Sequence, residues 1–444
     1  MKKVLILAYD FPPYVSVGGL RPYNWFKYLK EFGVEPIVVT RQWENHHGNH
    51  LDYVSAGWSD ILVIEENEYG TILRSPYKPN LSNNLLLKYG ERKFRLLRMV
   101  ISGFYEFAQF FLPVGPKIEL YKAARGYLEN NKVDAIVATG DPFVLFHYSN
   151  KLSKEFGIPW LADYRDPWSQ DIPLQKKHLL RIYSTYQEKR LLKNVKTVIT
   201  VSEFVAQKIK TNYTEDIHIL LNGYDPELIE QAAAIPQQSE VLSIGYAGTL
   251  YNWHPIESFF KSLNEWLLEK PNYSIRLNFY GVNNQSEIEQ LVKTKFASLA
   301  PFVNYFKRMP NKDLLYKLGT ENILLLFNYY SFMGTKIYDY LGMNRKILFC
   351  FTDDQEALVL KKKFYDIDES SSPNYRLQAD LIEKTESGIL VKNNIHLKEV
   401  LTTLAEEFYS TGRITSNSKN FEQFSRKLRA KQLSEILSQS IKKK

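Results

Sequence analysis

The sequence predicts an α/β chain of two halves, each a parallel sheet alternating with helices. Three observations carry this. Short, fully apolar runs recur, as strands buried on both faces require. Segments of helical period separate them, so strand–helix–strand units follow one another. The pattern breaks at the Asn222-Gly223 turn and an Ala-rich, Pro-closed stretch to about Ser239, then restarts. The length, 444 residues, fits two or three domains of roughly 150–200 residues.

In chain order, Val4-Leu5-Ile6-Leu7-Ala8 is the first strand. A loop to Leu20 holds Gly18-Gly19, and Pro22 opens a helix on which Trp25, Phe26, Leu29 and Phe32 recur. Gly33 suits the helix end, and Pro36-Ile37-Val38-Val39-Thr40 is the next strand. Ala135–Ala138, Trp160–Ala162 and Thr197–Val201 continue the first half, with a helix from about Phe143 to Phe156 and another capped by Ser202. The second half contributes strands at Leu242–Tyr246, Ile275–Tyr280, Val303–Phe306, Ile323–Phe327 and Lys346–Phe351. Helices intervene, among them Pro255–Leu268 and Lys336–Leu341.

Two segments depart from the alternation. Residues 44–116 are long for a crossover. Within them Arg92, Arg95 and Arg98 share one helical face and Phe94, Leu97, Ile101, Phe104 and Phe111 the other. This helix either packs on its own domain or docks on an anionic membrane surface. The second segment is a C-terminal helix carrying Phe421, Phe424, Leu428, Leu433 and Leu437, ended by a solvated Lys442-Lys443-Lys444.

Composition excludes several classes. Apolar residues at 44% and charged residues at 24% exclude a disordered or fibrous chain. The charge balance, 57 − 49 = +8, suits an anionic ligand or membrane surface. It is too diffuse for a nucleic-acid binder, so no nucleic-acid partner is expected. One cysteine, Cys350, makes neither an internal disulfide nor a zinc cage. The apolar run after Met1-Lys2-Lys3 is too short for a signal peptide. No stretch reaches the roughly 18–20 apolar residues of a membrane span, so a cytoplasmic location is expected.

Four places can carry chemistry. Gly18-Gly19, before the first helix, lets backbone approach a ligand, though it also serves as a plain turn. Met333-Gly334-Thr335-Lys336 follows a strand and opens a helix. Its free N–H groups and Lys336 suit a diphosphate, and Asp339, one turn in, suits two ribose hydroxyls; the alternative is an ordinary helix start. Asp163-Tyr164-Arg165-Asp166 lies past a strand's carboxyl end, either as an ion-pair network or as an acceptor site. His147 begins the helix after Thr139-Gly140-Asp141-Pro142, where a structural role competes. The one D-x-D triplet, Asp366-Ile367-Asp368, has no strand leading into it and reads as a solvated loop. H-E-x-x-H, paired cysteines, a P-loop and G-x-S-x-G are all lacking.

Taken together, these stretches resemble the family 4 glycosyltransferases of GT-B fold, especially those acting on bacterial surface polysaccharides. Tyr9-Asp10-Phe11-Pro12-Pro13 through Gly18-Gly19-Leu20-Arg21 is similar to the family's first loop, and Thr139–Phe143 with His147 to a later one. Gly245-Tyr246-Ala247-Gly248-Thr249-Leu250-Tyr251 resembles the first loop of its second domain. Thr335-Lys336-Ile337-Tyr338-Asp339-Tyr340-Leu341 resembles its K-I-Y-E-Y-L donor motif. The ordered set spans nearly the whole chain.

The resemblance implies an α/β fold of two Rossmann-like domains facing a cleft, with the last helix crossing back to the first domain. The expected domains are residues 1–222 on the acceptor side, 223–415 on the donor side, and 416–444 as the returning helix. It also implies a nucleoside-diphosphate sugar as substrate, no further cofactor, no metal, and retention of anomeric configuration. The acceptor is a glycan or a polyprenyl-linked glycan of cell-surface polysaccharide synthesis. On this basis the donor-binding residues are Gly18, Gly19, Gly248, Thr249, Arg308, Gly334, Thr335, Lys336 and Asp339. Asp163 and Arg165 bind the acceptor, and His147 and Asp166 are catalytic. Two departures stand out. The family's E-x7-E pair is Ser331 and Asp339 here, and Asn252, Trp253 and His254 stand where Arg and Lys are common. The alternative is a catalytically inactive GT-B protein that binds glycan or scaffolds other enzymes.

Overall fold

The computed structural model describes residues 1–43, 51–171, 178–365, 367, 369, 372 and 374–442. The chain divides into two compact units, one of residues 1–222 with 426–444, the other of residues 223–425.

Among the described residues the first unit holds strands β1 (Lys2–Leu7), β2 (Val34–Arg41), β3 (Val63–Glu66), β4 (Thr71–Ser75), β5 (Ala135–Gly140), β6 (Trp160–Tyr164), β7 (Thr197–Thr200) and β8 (Ile217–Ile219). They form one sheet in the order β3-β4-β2-β1-β5-β6-β7-β8, parallel except for β3 against β4. Its helices include α1 (Val17–Tyr28), α2 (Leu81–Tyr89), α3 (Arg95–Ala108), α4 (Ile118–Asn130), α5 (Val144–Phe156) and α6 (His178–Leu192). The second unit holds β9 (Leu242–Ala247), β10 (Ile275–Tyr280), β11 (Val303–Phe306), β12 (Ile323–Phe327), β13 (Lys346–Cys350) and β14 (Gly388–Val391), in the all-parallel order β11-β10-β9-β12-β13-β14.

The apolar runs became central strands for the expected reason. Val4, Leu5, Ile6 and Leu7 have no exposed surface, nor do Leu324, Leu325 and Leu326. A strand covered by helices on both faces needs apolar side chains on both. The second unit's core joins Ile244, Leu277, Phe279, Leu325 and Leu348 to Phe259, Leu263, Leu401 and Leu404 of flanking helices. Each fully buried Leu or Phe there is worth roughly 1.5–3 kcal/mol over its exposed state.

The structure corrects three expectations. Helix α1 starts at Val17, not Pro22, because Ser16 caps it by accepting from Gly18 N at 3.1 Å. Gly18 and Gly19 are therefore its first turn rather than a loop. Residues 44–116 are more than a crossover, since β3 and β4 add a hairpin at the sheet edge. The C-terminal helix begins at Arg426, after Phe421 and Phe424. It does return to the first unit: Ala430, Leu433 and Leu437 are buried in a core with Val4, Ile6, Val137 and Leu161.

In each sheet the strand order reverses once, between β1 and β5 and between β9 and β12. The crevice beyond the carboxyl ends of strands at such a reversal is where open α/β sheets hold ligands. The candidate residues collect there.

Candidate functional site

In the first unit, Asp10 follows β1 at the reversal point and accepts from Ser16 Oγ at 2.7 Å. A β-carbon on Gly18 would fall 2.0 Å from an Nη of Arg165 and 2.7 Å from Asp10 Oδ2. Glycine is thus what lets the guanidinium lie against the start of α1. A β-carbon on Gly19 would stand 3.3 Å from the backbone of Asp10 and Phe11, a tighter fit than is usual. Arg165 also donates to the carbonyls of Gly140 at 2.6 Å and Asp141 at 2.5 Å. One side chain therefore ties together the loops that follow β1, β5 and β6.

Burial raises the carboxyls of Asp10, Asp141 and Asp166 above their ordinary values, with Arg165 opposing the rise at all three. Asp141 and Asp166 nonetheless stay exposed, so solvent screens part of that rise and both can meet a ligand.

Asp163 has a different place from the one expected. It has no exposed surface, and both its oxygens are taken by Arg21, at 2.8 Å to Nη2 and 3.1–3.2 Å to Nε. Arg21 also donates to Leu220 O at 2.8 Å. This pair is internal structure rather than an acceptor contact. Removing one partner of such a pair leaves a buried charge uncompensated.

His147 is half-buried on the first turn of α5, beside Phe110 at 5.7 Å between rings. Burial, then the charges of Arg190 and Lys151, bring its pKa down to about 4. Its imidazole is neutral at pH 7, and Nδ1 is buried with no partner among the described residues.

In the second unit, β9 runs into Gly248, whose φ of +83° is the left-handed conformation that favours glycine. A β-carbon there would lie 3.8 Å from Lys336 Nζ. Lys336 is the first residue of the helix Lys336–Met343. Its ammonium donates to Tyr246 Oη at 3.0 Å and lies 4.2 Å from the centre of that ring. The Tyr246 hydroxyl donates in turn to Thr249 O at 2.6 Å. Among the described residues no carboxylate pairs with Lys336, and burial alone takes its pKa down to about 7. The helix start is open as well, because Thr335 stands at the N-cap without a capping side-chain hydrogen bond. Unsatisfied backbone donors, the positive end of a helix dipole and an unpaired ammonium coincide here.

The other donor-side residues lie close by in the chain. Asp339 is half-buried in the first turn of the same helix. Gly334 has ordinary clearance, a β-carbon there meeting the Tyr329 ring at 3.7 Å, so close backbone approach is not what fixes this glycine. Arg308 is exposed just past β11, two strands from β9, its Cα 3.3 Å from where a β-carbon on Gly281 would stand.

Two further residues lie near these: His254, noted from sequence only as a departure from the family pattern, and Glu369, not picked out from sequence. His254 is buried among Tyr251, Trp253, Phe327 and Tyr329. Its Nδ1 accepts from Tyr251 N at 3.3 Å, which puts the proton on Nε2, and Nε2 is buried with no partner among the described residues. Burial, then the charge of Lys336, hold it neutral. The second is Glu369, which accepts from Ser331 Oγ at 2.6 Å and pairs with Lys361 at 2.7 Å. Burial acts to raise its carboxyl, but hydrogen bonds from Lys361 and Ser331 outweigh it and hold it low. A carboxylate thus stands beside Ser331, supplied 38 residues later. Asp366 and Asp368 lie outside the described residues. Among the described residues no three His, Cys, Asp or Glu side chains could hold a metal ion, and no helix is long and apolar enough to cross a membrane.

Residues 22–228 match the family model for Glycosyltransferase Family 4. No curated protein matches the chain in sequence. Sucrose-phosphate synthase from Thermosynechococcus elongatus is similar in structure at 14% identity, with 99% of both chains covered and a TM-score of 0.60. A trehalose-6-phosphate structure from E. coli bound with UDP-2-fluoro glucose aligns at 12% identity, over 94% of this chain and 100% of that one, with a TM-score of 0.52. The lipopolysaccharide outer core galactosyltransferase WaaB aligns at 10% identity, over 98% and 99%, with a TM-score of 0.51. Residues 22–228 are thus similar to Glycosyltransferase Family 4, and the two-sheet fold is the one shared by these solved GT-B structures.

Proposed function

We propose that this protein transfers a sugar from a nucleoside-diphosphate sugar to a glycan or polyprenyl-linked acceptor of a cell-surface polysaccharide. It works at the cytoplasmic face of the membrane, without a metal and with retention of configuration. The observation that carries the donor half is Lys336, a half-buried ammonium that no carboxylate neutralises among the described residues, at an uncapped helix start beside Gly248. A buried cation without a counter-ion is costly unless a ligand supplies the anion. When the bond between sugar and diphosphate breaks, its electron pair leaves on a phosphate oxygen. Lys336 and the amides from Thr335 onward are set to meet that growing charge, which is the work a metal does elsewhere. Gly248, Thr249 and Gly334 leave room for the diphosphate, His254 offers it a further N–H, and Asp339 takes the ribose. Arg308, exposed just past β11, is the remaining donor-side cation of this reading.

On the first unit, Arg165 and Asp166 hold the acceptor's hydroxyls, with Asp10 and Asp141 beside them. His147, neutral at pH 7, is a proton acceptor of low basicity. Retention of configuration and the surface-polysaccharide role rest on the family resemblance. Glu369 stands beside Ser331 with both oxygens engaged, one by Ser331 and the other by Lys361.

Incubation with UDP-, GDP- and dTDP-sugars, with and without EDTA, tests this. Slow release of nucleoside diphosphate from one of them is expected. Neither release nor calorimetric binding with any donor would sink the enzymatic reading.

A further inference from the structure

Helix α3 is built the wrong way round for a helix that only packs on its own domain. Its apolar side faces out: Leu96 is 78% exposed, Val100 71% and Phe104 57%, with Met99 and Phe107 beyond half. Arg98, Ile101, Tyr105 and Ala108, spaced as one helical face, are the less exposed side. That side is anchored by polar contacts, including Ser82 Oγ on the carbonyl of Arg98 at 3.2 Å and on Ser102 Oγ at 2.8 Å.

Helix α6 extends the same surface. Tyr183 donates to Phe107 O at 2.7 Å with ring centres 4.6 Å apart, and Leu179, Ile182 and Tyr186 are exposed, Leu179 at 82%. Isolated exposed apolar residues mean little, but a contiguous band across two helices marks a contact surface.

The charges say what kind. At the amino end of α3, Arg92, Lys93 and Arg95 are exposed and form no ion pair among the described residues. At the other end Arg190 of α6 lies 5.6 Å from the ring of exposed Phe111, with Nε and Nη2 buried and unpartnered among the described residues. Only Glu91 and Glu106 interrupt these cations along α3, and Glu106 is tied to Lys117 at 3.5 Å. A second copy docked through this same face would bring the same cations against it. A bilayer offers both partners at once, phosphates for the cations and an acyl boundary for the apolar side chains.

We propose that the α3–α6 face docks on an anionic lipid surface, Arg92, Lys93 and Arg95 on lipid phosphates, and Leu96, Val100, Phe104 and Phe107 in the headgroup–acyl boundary. The inference deepens the membrane placement proposed above and rests on it.

The test is co-sedimentation of the full chain with vesicles of phosphatidylglycerol and phosphatidylcholine, against phosphatidylcholine alone. No substrate is present, so failure here leaves the donor-site reading untouched. Wild type is expected to bind the anionic vesicles and to lose them at high salt. Replacing Arg92, Lys93 and Arg95 by Gln together should weaken binding about 100-fold. Val100→Ser with Phe104→Ser should abolish it. Both variants change exposed side chains, so unchanged melting temperature and unchanged donor hydrolysis are expected. Wild type that never sediments with anionic vesicles at low salt overturns the proposal, and so does a Gln variant that binds like wild type. Equal binding to neutral vesicles overturns the role given to the cations. A dimer in light scattering that Phe104→Ser dissolves would assign the face to a second copy instead.

Discussion

Lys336→Met should make the protein more stable and a poorer binder of diphosphates. Burial takes the ammonium's pKa from 10.5 to about 7, and at 1.36 kcal/mol per pKa unit that is roughly 4–5 kcal/mol against the charged form. Relaxation recovers part of it, and methionine forfeits the hydrogen bond to Tyr246. A net gain of about 1–3 kcal/mol at pH 6 is expected.

The sign of the pH dependence follows from the direction of the shift. Between pH 7 and 10.5 the unfolded chain keeps a proton that the folded chain has released. Wild-type stability therefore rises with pH across that window, and the variant lacks this slope. Binding runs the other way. A bound diphosphate pulls the pKa back up, so above pH 7 binding takes up a proton and affinity falls by up to about tenfold per pH unit. In the variant, loss of the charged contact should weaken diphosphate binding by about 1.5–3 kcal/mol at pH 6 and leave nucleoside binding nearly unchanged. Thermal melts at pH 6 and 8.5, with calorimetry against nucleoside and nucleoside diphosphate, read all of these. A variant that melts lower than wild type and binds the diphosphate equally well would refute the reasoning.

Asp339→Ala should weaken nucleotide-sugar binding by about 1.5–3 kcal/mol in calorimetry; unchanged affinity in a folded variant removes it from the site. Asp163→Asn should cost about 3–5 kcal/mol in urea unfolding by leaving Arg21 buried without its counter-charge, and a loss below 1 kcal/mol would contradict the internal role. Activity should survive EDTA, because Lys336 and the open helix start carry the diphosphate; complete loss, restored by Mg²⁺ or Mn²⁺, would revive Asp366 and Asp368.

The central strands were legible because burial on both faces leaves no choice of residue. Ile323–Phe327 and the Val4–Leu7 part of β1 run over the residues that the apolar runs mark. The hairpin β3–β4 was not legible. Val63–Glu66 alternates half-buried with exposed residues and includes two glutamates, so no apolar run announces an edge strand. The candidate site was legible where the chain has a special backbone or a helix start, as at Gly18, Gly248 and Lys336. It was not legible where a partner comes from far along the chain. The glutamate at Ser331 is separated by 38 residues. Arg21 lies 142 residues from the Asp163 carboxylate it occupies. Nor does periodicity say which side of an amphipathic helix faces the protein, and in α3 it is the side with Arg98.

Because the C-terminal helix belongs to the first unit, this chain cannot complete its folding in the order in which it is made. Residues 223–425 are continuous, and the two ends of that stretch meet where Tyr224 N donates to Phe424 O at 3.1 Å. The second unit is therefore whole as soon as Ser425 has been synthesised. The first unit is still missing Ala430, Leu433 and Leu437, which pack against Val4, Ile6 and Val137. Domains emerging from a ribosome usually fold from the amino terminus onward. Here the earlier-made half keeps part of its core uncovered until residues 426–442 have been made, and a chain stopped before them has an incomplete first unit.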